Sequence, residues 1–133
     1  MYRSAMIIDD SKLERFLTER IMANCGFAGQ VESFNSGAEG LAHLHSLEGN
    51  LEEFPEILFL DIHMPVMSGF DFLEKFLEFS EEIKEHCKII IISSTDAPED
   101  HARMKTFPII YKFLPKPLSE KMLDSVRINK KIA

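Results

Sequence analysis

This chain predicts an α/β domain built on one parallel sheet, and three observations lead there. Short apolar runs alternate with amphipathic stretches from one end of the sequence to the other. Two of the runs, Ile57-Leu58-Phe59-Leu60 and Ile89-Ile90-Ile91-Ile92, are apolar at every position, as strands covered on both faces require. The 133 residues, 45% of them apolar, suffice for one core and leave no room for a second.

Ser4–Ile8 reads as the first strand. Leu13, Phe16, Leu17, Ile21 and Cys25 then recur at helical spacing until Gly26 ends the helix. Val31–Phe34 is a short second strand. Ser36 caps a second helix carrying Leu41, Leu44 and Leu47, with Glu39 three positions on as a capping box demands. Glu48–Pro55 is the most loop-like stretch. Glu56–Leu60 forms the third strand, followed by a loop and a third helix on Phe70, Leu73, Phe76 and Leu77. Lys88–Ile92 is the strongest strand. A fourth helix spans about Pro98–Thr106, with Pro98 suited to its first turn. It is expected to be short or distorted, because Thr106-Phe107-Pro108-Ile109-Ile110 lacks a small turn before the next strand. Tyr111–Leu114 is the fifth strand, and Leu118, Met122, Leu123 and Val126 mark the fifth helix. Five strands alternating with five helices imply right-handed crossovers and a doubly wound sheet.

Composition excludes several functions. With 15 basic residues against 22 acidic, the net charge of −7 has the wrong sign for binding nucleic acid through its phosphates. Lys130-Lys131 reads as a solvated tail. Cys25 and Cys87 have no metal-type spacing and fit two half-buried thiols in a reducing compartment. No apolar run is long enough to cross a bilayer, and Met1-Tyr2-Arg3 leads directly into the first strand with no secretory leader. The expectation is a soluble cytoplasmic protein.

The chemistry lies at the strand ends. Asp9 and Asp10 follow the first strand, Asp61 the third, Ser93 the fourth and Lys116 the fifth. In a parallel sheet these positions gather at the carboxyl edge, where open α/β sheets place their sites. Close carboxylates repel by roughly 1–4 kcal/mol per pair. A hard divalent cation relieves that repulsion, and oxygen-only ligands favour Mg²⁺. Pro65 and Gly69 shape a sharp loop after Asp61 that fixes its direction.

The Asp9-Asp10 pair, the loop Asp61-x-x-Met64-Pro65-x-Met67-x-Gly69-Phe70, Ser93 and Lys116-Pro117 together resemble the receiver domain of two-component response regulators. The resemblance covers essentially the whole chain, 1–133, as a single chemotaxis-regulator-like domain of flavodoxin-like fold. It implies Asp61 as phosphoacceptor, taking a phosphoryl group from a sensor histidine kinase or a histidine phosphotransfer protein. It implies Mg²⁺ held by Asp10 and Asp61 directly, by Asp9 through water and by the His63 backbone carbonyl. Lys116 would pair with a phosphoryl oxygen, Ser93 would hydrogen-bond another, and the Lys116–Pro117 bond would be cis. Ser93 is preferred to Ser94 because it directly follows the apolar run and lies seven positions before Asp100, as the resemblance implies. Phe113 would turn inward as the Ser93 loop closes, reshaping the face of the fourth helix, fifth strand and fifth helix. The domain would act by docking on a downstream protein target, as a phosphorelay carrier, or by forming a phosphorylation-dependent homodimer, and not as an enzyme. His63 and Thr95 flank the path of hydrolytic water, and a bulky His63 is expected to slow its entry. With few residues after the fifth helix, no output module is expected. The competing classes are a haloacid-dehalogenase-like phosphatase, which would want a second acid where His63 stands, and a flavodoxin-like carrier, whose FMN phosphate Asp9-Asp10-Ser11-Lys12 would repel.

Overall fold

In the computed structural model, which describes residues 1–127, one five-stranded sheet has the order β2-β1-β3-β4-β5. Its strands are β1 (Tyr2–Ile8), β2 (Ala28–Phe34), β3 (Ile57–Asp61), β4 (Lys88–Ser93) and β5 (Ile110–Pro115), and every pairing is parallel. The helices are α1 (Lys12–Asn24), α2 (Gly37–Ser46), α3 (Gly69–Phe76), α4 (Glu81–His86), α5 (Pro98–Met104) and α6 (Glu120–Asp124). The doubly wound parallel sheet is as the alternation of runs predicts.

Helix number differs from expectation. Among the described residues six helices stand where five were predicted, because α3 stops at Phe76 and the short α4 begins after Ser80, whose hydroxyl accepts the Ile83 amide. Ile83 is the only buried residue of α4, too little apolar periodicity to read from sequence. The loop-like 48–55 stretch also contains a 3₁₀ turn, Leu51–Glu53. The fourth predicted helix is α5, ending at Met104 and thus short as expected; the fifth is α6. Lys130-Lys131 lies outside the described residues.

Two clusters form the core, one on each face of the sheet. Leu41 and Leu44 of α2, Phe70, Phe72, Leu73 and Phe76 of α3, Ile83 and Met104 pack with Ile8, Leu58, Leu60 and Ile91. On the other face Met22 of α1 and Leu123 of α6 pack with Ile7, Phe59, Ile90 and Ile92. Residues of one strand thus alternate between clusters, so β3 is buried throughout and β4 from Ile89 to its last residue. Each fully buried large side chain contributes roughly 1.5–3 kcal/mol.

Helix α1 turns only part of its predicted stripe to the sheet, since Ile21 and Cys25 pack against the core. Leu13, Phe16 and Leu17 are exposed, and its buried residues are Thr18 and Met22. Regular spacing shows that residues share a face, but not that the face meets the sheet. Cys87 is buried and Cys25 partly so, and both are free thiols. Among the described residues, no helix is long and apolar enough to cross a membrane.

Candidate functional site

Strand register assembles the site. Ile8 pairs with Leu60, so the next residues, Asp9 and Asp61, stand side by side at the carboxyl edge. Asp61 pairs with Ile92 and Ser93 with Pro115, which brings Ser93 and then Lys116 to that edge. Asp61 and Ser93 are the last residues of their strands, one position beyond the ends expected from sequence. Pairing continues one residue further because two-sided burial does.

Asp9, Asp10 and Asp61 each offer an oxygen within 4.8 Å of the others. Asp9 and Asp61 are buried, and Asp10 faces solvent. Asp9 accepts the Ser11 amide on Oδ1 at 3.0 Å and the Lys116 Nζ on Oδ2 at 2.7 Å. Lys116 reaches Asp61 Oδ2 at 3.4 Å, so the ammonium lies closer to Asp9. Lys116 is itself held by its amide, which donates to the Ser93 carbonyl at 2.9 Å, and the Lys116–Pro117 peptide is cis. The Arg15 guanidinium donates to the Asp9 carbonyl at 2.7 Å, a contact from α1 that no sequence motif announced.

Burial chiefly pushes the Asp61 carboxyl up to about 6. Lys116 opposes that rise and the Asp9 charge adds to it, so Asp61 remains ionised at neutral pH. For Lys116 burial works against the charged form, but the bond to Asp9 and the charges of Asp61 and Asp9 outweigh it, and its pKa is raised. The donor set suits a hard cation. Three carboxylates supply only oxygen, and one lysine is shared between the two buried ones.

The loop after Asp61 is built by close approach and strain. The Gly69 amide donates to the Ile62 carbonyl at 2.7 Å, and a Cβ on Gly69 would lie 2.6 Å from the Asp61 carbonyl oxygen. Only glycine allows that contact. Val66 has φ of +66°, with the Met67 amide donating to the Pro65 carbonyl across it at 2.8 Å, a γ-turn rare for a β-branched residue. Ser68 then starts α3 with a reciprocal capping box to Asp71.

The remaining predicted residues lie around this cluster. Ser93 is buried, whereas Ser94 is exposed, and Ser93 Oγ accepts the Thr95 amide at 3.1 Å. Phe113 is half-buried against the larger core, its ring edge-on to His101 at 5.0 Å. The His63 side chain is exposed and donates from Nε2 to Asp100 at 2.9 Å. Thr95, whose hydroxyl donates to the same Asp100, and the His63 contact together hold the Asp100 carboxyl below its usual range, with Thr95 the larger cause. Asp100 entered the sequence reading only as a spacing mark seven positions after Ser93, since an acid in a helix's first turn reads as ordinary.

Comparison with known proteins agrees with this geometry. Residues 5–127 match the family of the response regulator receiver domain. The chain belongs to that family, the phosphorylatable signalling domains of two-component systems. More particularly, its fold is that of CheY-like receiver structures. A probable methanogenesis regulatory protein of Methanothrix harundinacea is 25% identical over 114 residues, covering 86% of this chain and 72% of that one. A response regulator receiver protein from Dyadobacter fermentans has 29% identity and a TM-score of 0.82, covering 93% of this chain and 94% of that one. A two-component response regulator from Cytophaga hutchinsonii shares the fold, with a TM-score of 0.85 at 24% identity, covering 94% and 93%. Receiver domains are signalling domains that bind Mg²⁺ at their acidic site and work with histidine kinases or phosphotransfer proteins. Neither the phosphatase nor the flavodoxin alternative is favoured.

Proposed function

We propose that Asp61 is the phosphoacceptor and that residues 1–133 act as one phosphorylatable switch. A single observation carries this: a buried carboxyl group at the end of β3 lies beside Asp9 and within reach of Lys116. An Asp61 oxygen attacks the phosphorus of a partner's phosphohistidine, forming an O–P bond as the N–P bond breaks. The electron pair leaves with the imidazole, which departs neutral when its other nitrogen carries a proton. The product is an acyl phosphate, a covalent intermediate open to aspartate. Asp10 and Asp61 would hold Mg²⁺ directly, Asp9 through water, and the His63 carbonyl would complete the protein ligands. When bound, the ion supplies charge neutralisation for the transferring group. Lys116, held between Asp9 and Asp61, turns to a phosphoryl oxygen as a compact point charge, and Ser93 donates to another. Movement of the Ser93 loop biases Phe113 and the α5-β5-α6 face between two shapes, the surface for a downstream target, relay partner or homodimer.

The donor must approach the mouth beside α1, where Leu13, Phe16 and Leu17 form an exposed apolar ridge with Lys12, Arg15 and Arg20 on the same helix. Apolar side chains three and four apart are the anchors a partner helix uses. That ridge is the proposed docking face for the histidine kinase or phosphotransfer protein, and a cytoplasmic location goes with it. Incubation with acetyl phosphate and Mg²⁺ tests the proposal. One acid-stable, base-labile phosphoryl group that Asp61→Asn abolishes supports it. Turnover without accumulation would indicate a phosphatase, and no incorporation at all would overturn it.

A further inference from the structure

Asp100 stands in the first turn of α5, outside the acidic cluster, yet its side chain joins the two loops that flank Asp61. Its Oδ2 receives the Thr95 hydroxyl at 2.7 Å and the His63 Nε2 at 2.9 Å. His63 follows Asp61 by two residues and Thr95 follows Ser93 by two, so one oxygen ties together the loops leaving paired strands β3 and β4. The Thr95 amide donates to Ser93 Oγ at 3.1 Å, and the Thr95 hydroxyl accepts the Ala97 amide at 3.1 Å. Ala97 offers α5 no side-chain cap, and Thr95 with Asp100 closes that helix end in its place. Three bonds therefore run without a break from Ser93 through Thr95 and Asp100 to His63. Among the described residues, the Asp61 oxygens receive only the His63 amide and Lys116, while Ser93 is held by its own loop.

We propose that Asp100 is a positioning residue for phosphoryl acceptance, a clasp that holds the Ser93–Thr95 loop and the acceptor loop in the unphosphorylated arrangement and must open when Asp61 is modified. The proposal rests on Asp61 as acceptor and adds a residue of α5 that sets the resistance to switching. For Ser93 to move toward a phosphoryl oxygen, the Thr95 amide must give up or stretch its bond to Ser93. Thr95 then draws on Asp100, and through it on His63 and the start of α5. Such a linked chain moves cooperatively, because displacing one member leaves the next without its partner.

The experiment measures initial rates of phosphoryl incorporation from acetyl phosphate with Mg²⁺. Asp100→Ala is expected to take up phosphoryl about threefold to tenfold faster, the worth of one net hydrogen bond. Thr95→Val, which keeps the shape and removes the hydroxyl, moves the rate the same way and carries the test should Asp100→Ala fold poorly. A merely structural role for Asp100 as a helix cap would slow uptake or leave it unchanged while lowering the melting temperature. In the Asp100→Ala background, His63→Ala is expected to change the rate by less than about twofold, since the bond it would remove is already gone. Unchanged or slower uptake in both Asp100→Ala and Thr95→Val overturns the clasp, as do independent, additive effects of Asp100 and His63. Wild-type incorporation that Asp61→Asn abolishes is the separate control. Its absence overturns the acceptor assignment and the clasp together, whereas its presence beside indifferent Asp100 and Thr95 variants overturns the clasp alone.

Discussion

Replacing Asp61 with asparagine is expected to stabilise the protein while removing its acceptor. In the fold the carboxyl titrates at about 6, against 3.8 ordinarily, mainly because burial disfavours its charge. Between those values the folded state holds more protons than the unfolded chain. Stability therefore falls as pH rises through that window and stays at the lower level above it. Converted directly, the displacement costs up to about 3 kcal/mol. The site opens toward solvent at the exposed Asp10, and screening reduces the figure to about 1–2 kcal/mol. An asparagine side chain at this position would keep the shape of the carboxyl without its charge. With a chelator present, urea unfolding followed by circular dichroism at about pH 7.5 is expected to show the variant more stable by about 1–2 kcal/mol. The variant's advantage shrinks as pH falls through that window and is lost only below 3.8, where the carboxyl is protonated in both the folded and the unfolded chain. Added Mg²⁺ is expected to stabilise the wild type by mass action more than the variant. A variant no more stable than wild type near neutrality, or an advantage that persists undiminished in acid, would refute the reasoning.

Three further substitutions probe the same edge. Lys116→Met leaves Asp9 and Asp61 without their shared ammonium and is expected to cost about 2–4 kcal/mol in the chelated protein, read as a lower urea midpoint. Gly69→Ala forces a Cβ within 2.6 Å of the Asp61 carbonyl oxygen and 2.7 Å of the Ile62 Cα. Because both neighbours are backbone, a loss of more than about 2 kcal/mol is expected, measured the same way. Val66→Asn relieves a left-handed backbone at a fully exposed side chain and is expected to gain about 1 kcal/mol, seen as a higher melting temperature.

Much of the fold and of the acidic site was legible along the chain. The runs at 57–60 and 89–92 are apolar at every residue, and in the structure they are buried at every residue. Ser36 caps α2 as its spacing to Glu39 predicts. Other features were not legible. Helix α4 buries only Ile83, so it carries no readable period. The Leu13-Phe16-Leu17 stripe of α1 has the spacing of a core face yet lies in solvent, because Thr18 and Met22 face the sheet instead. Local periodicity cannot say which side of a helix meets its neighbour.

What the sequence by itself determined were the properties one short segment carries alone: where strands end to within one residue, which acids, hydroxyl and amine stand at those ends, and where Gly69 must stand. Pairing, and therefore chemistry, was decided only by the tertiary structure. The Ile8–Leu60 register sets Asp9 beside Asp61, Lys116 enters between them from 107 and 55 residues away, and Asp100 bridges His63 to Thr95. Distances between remote side chains follow from strand register and burial, and the perturbed Asp61 carboxyl follows from those distances in turn.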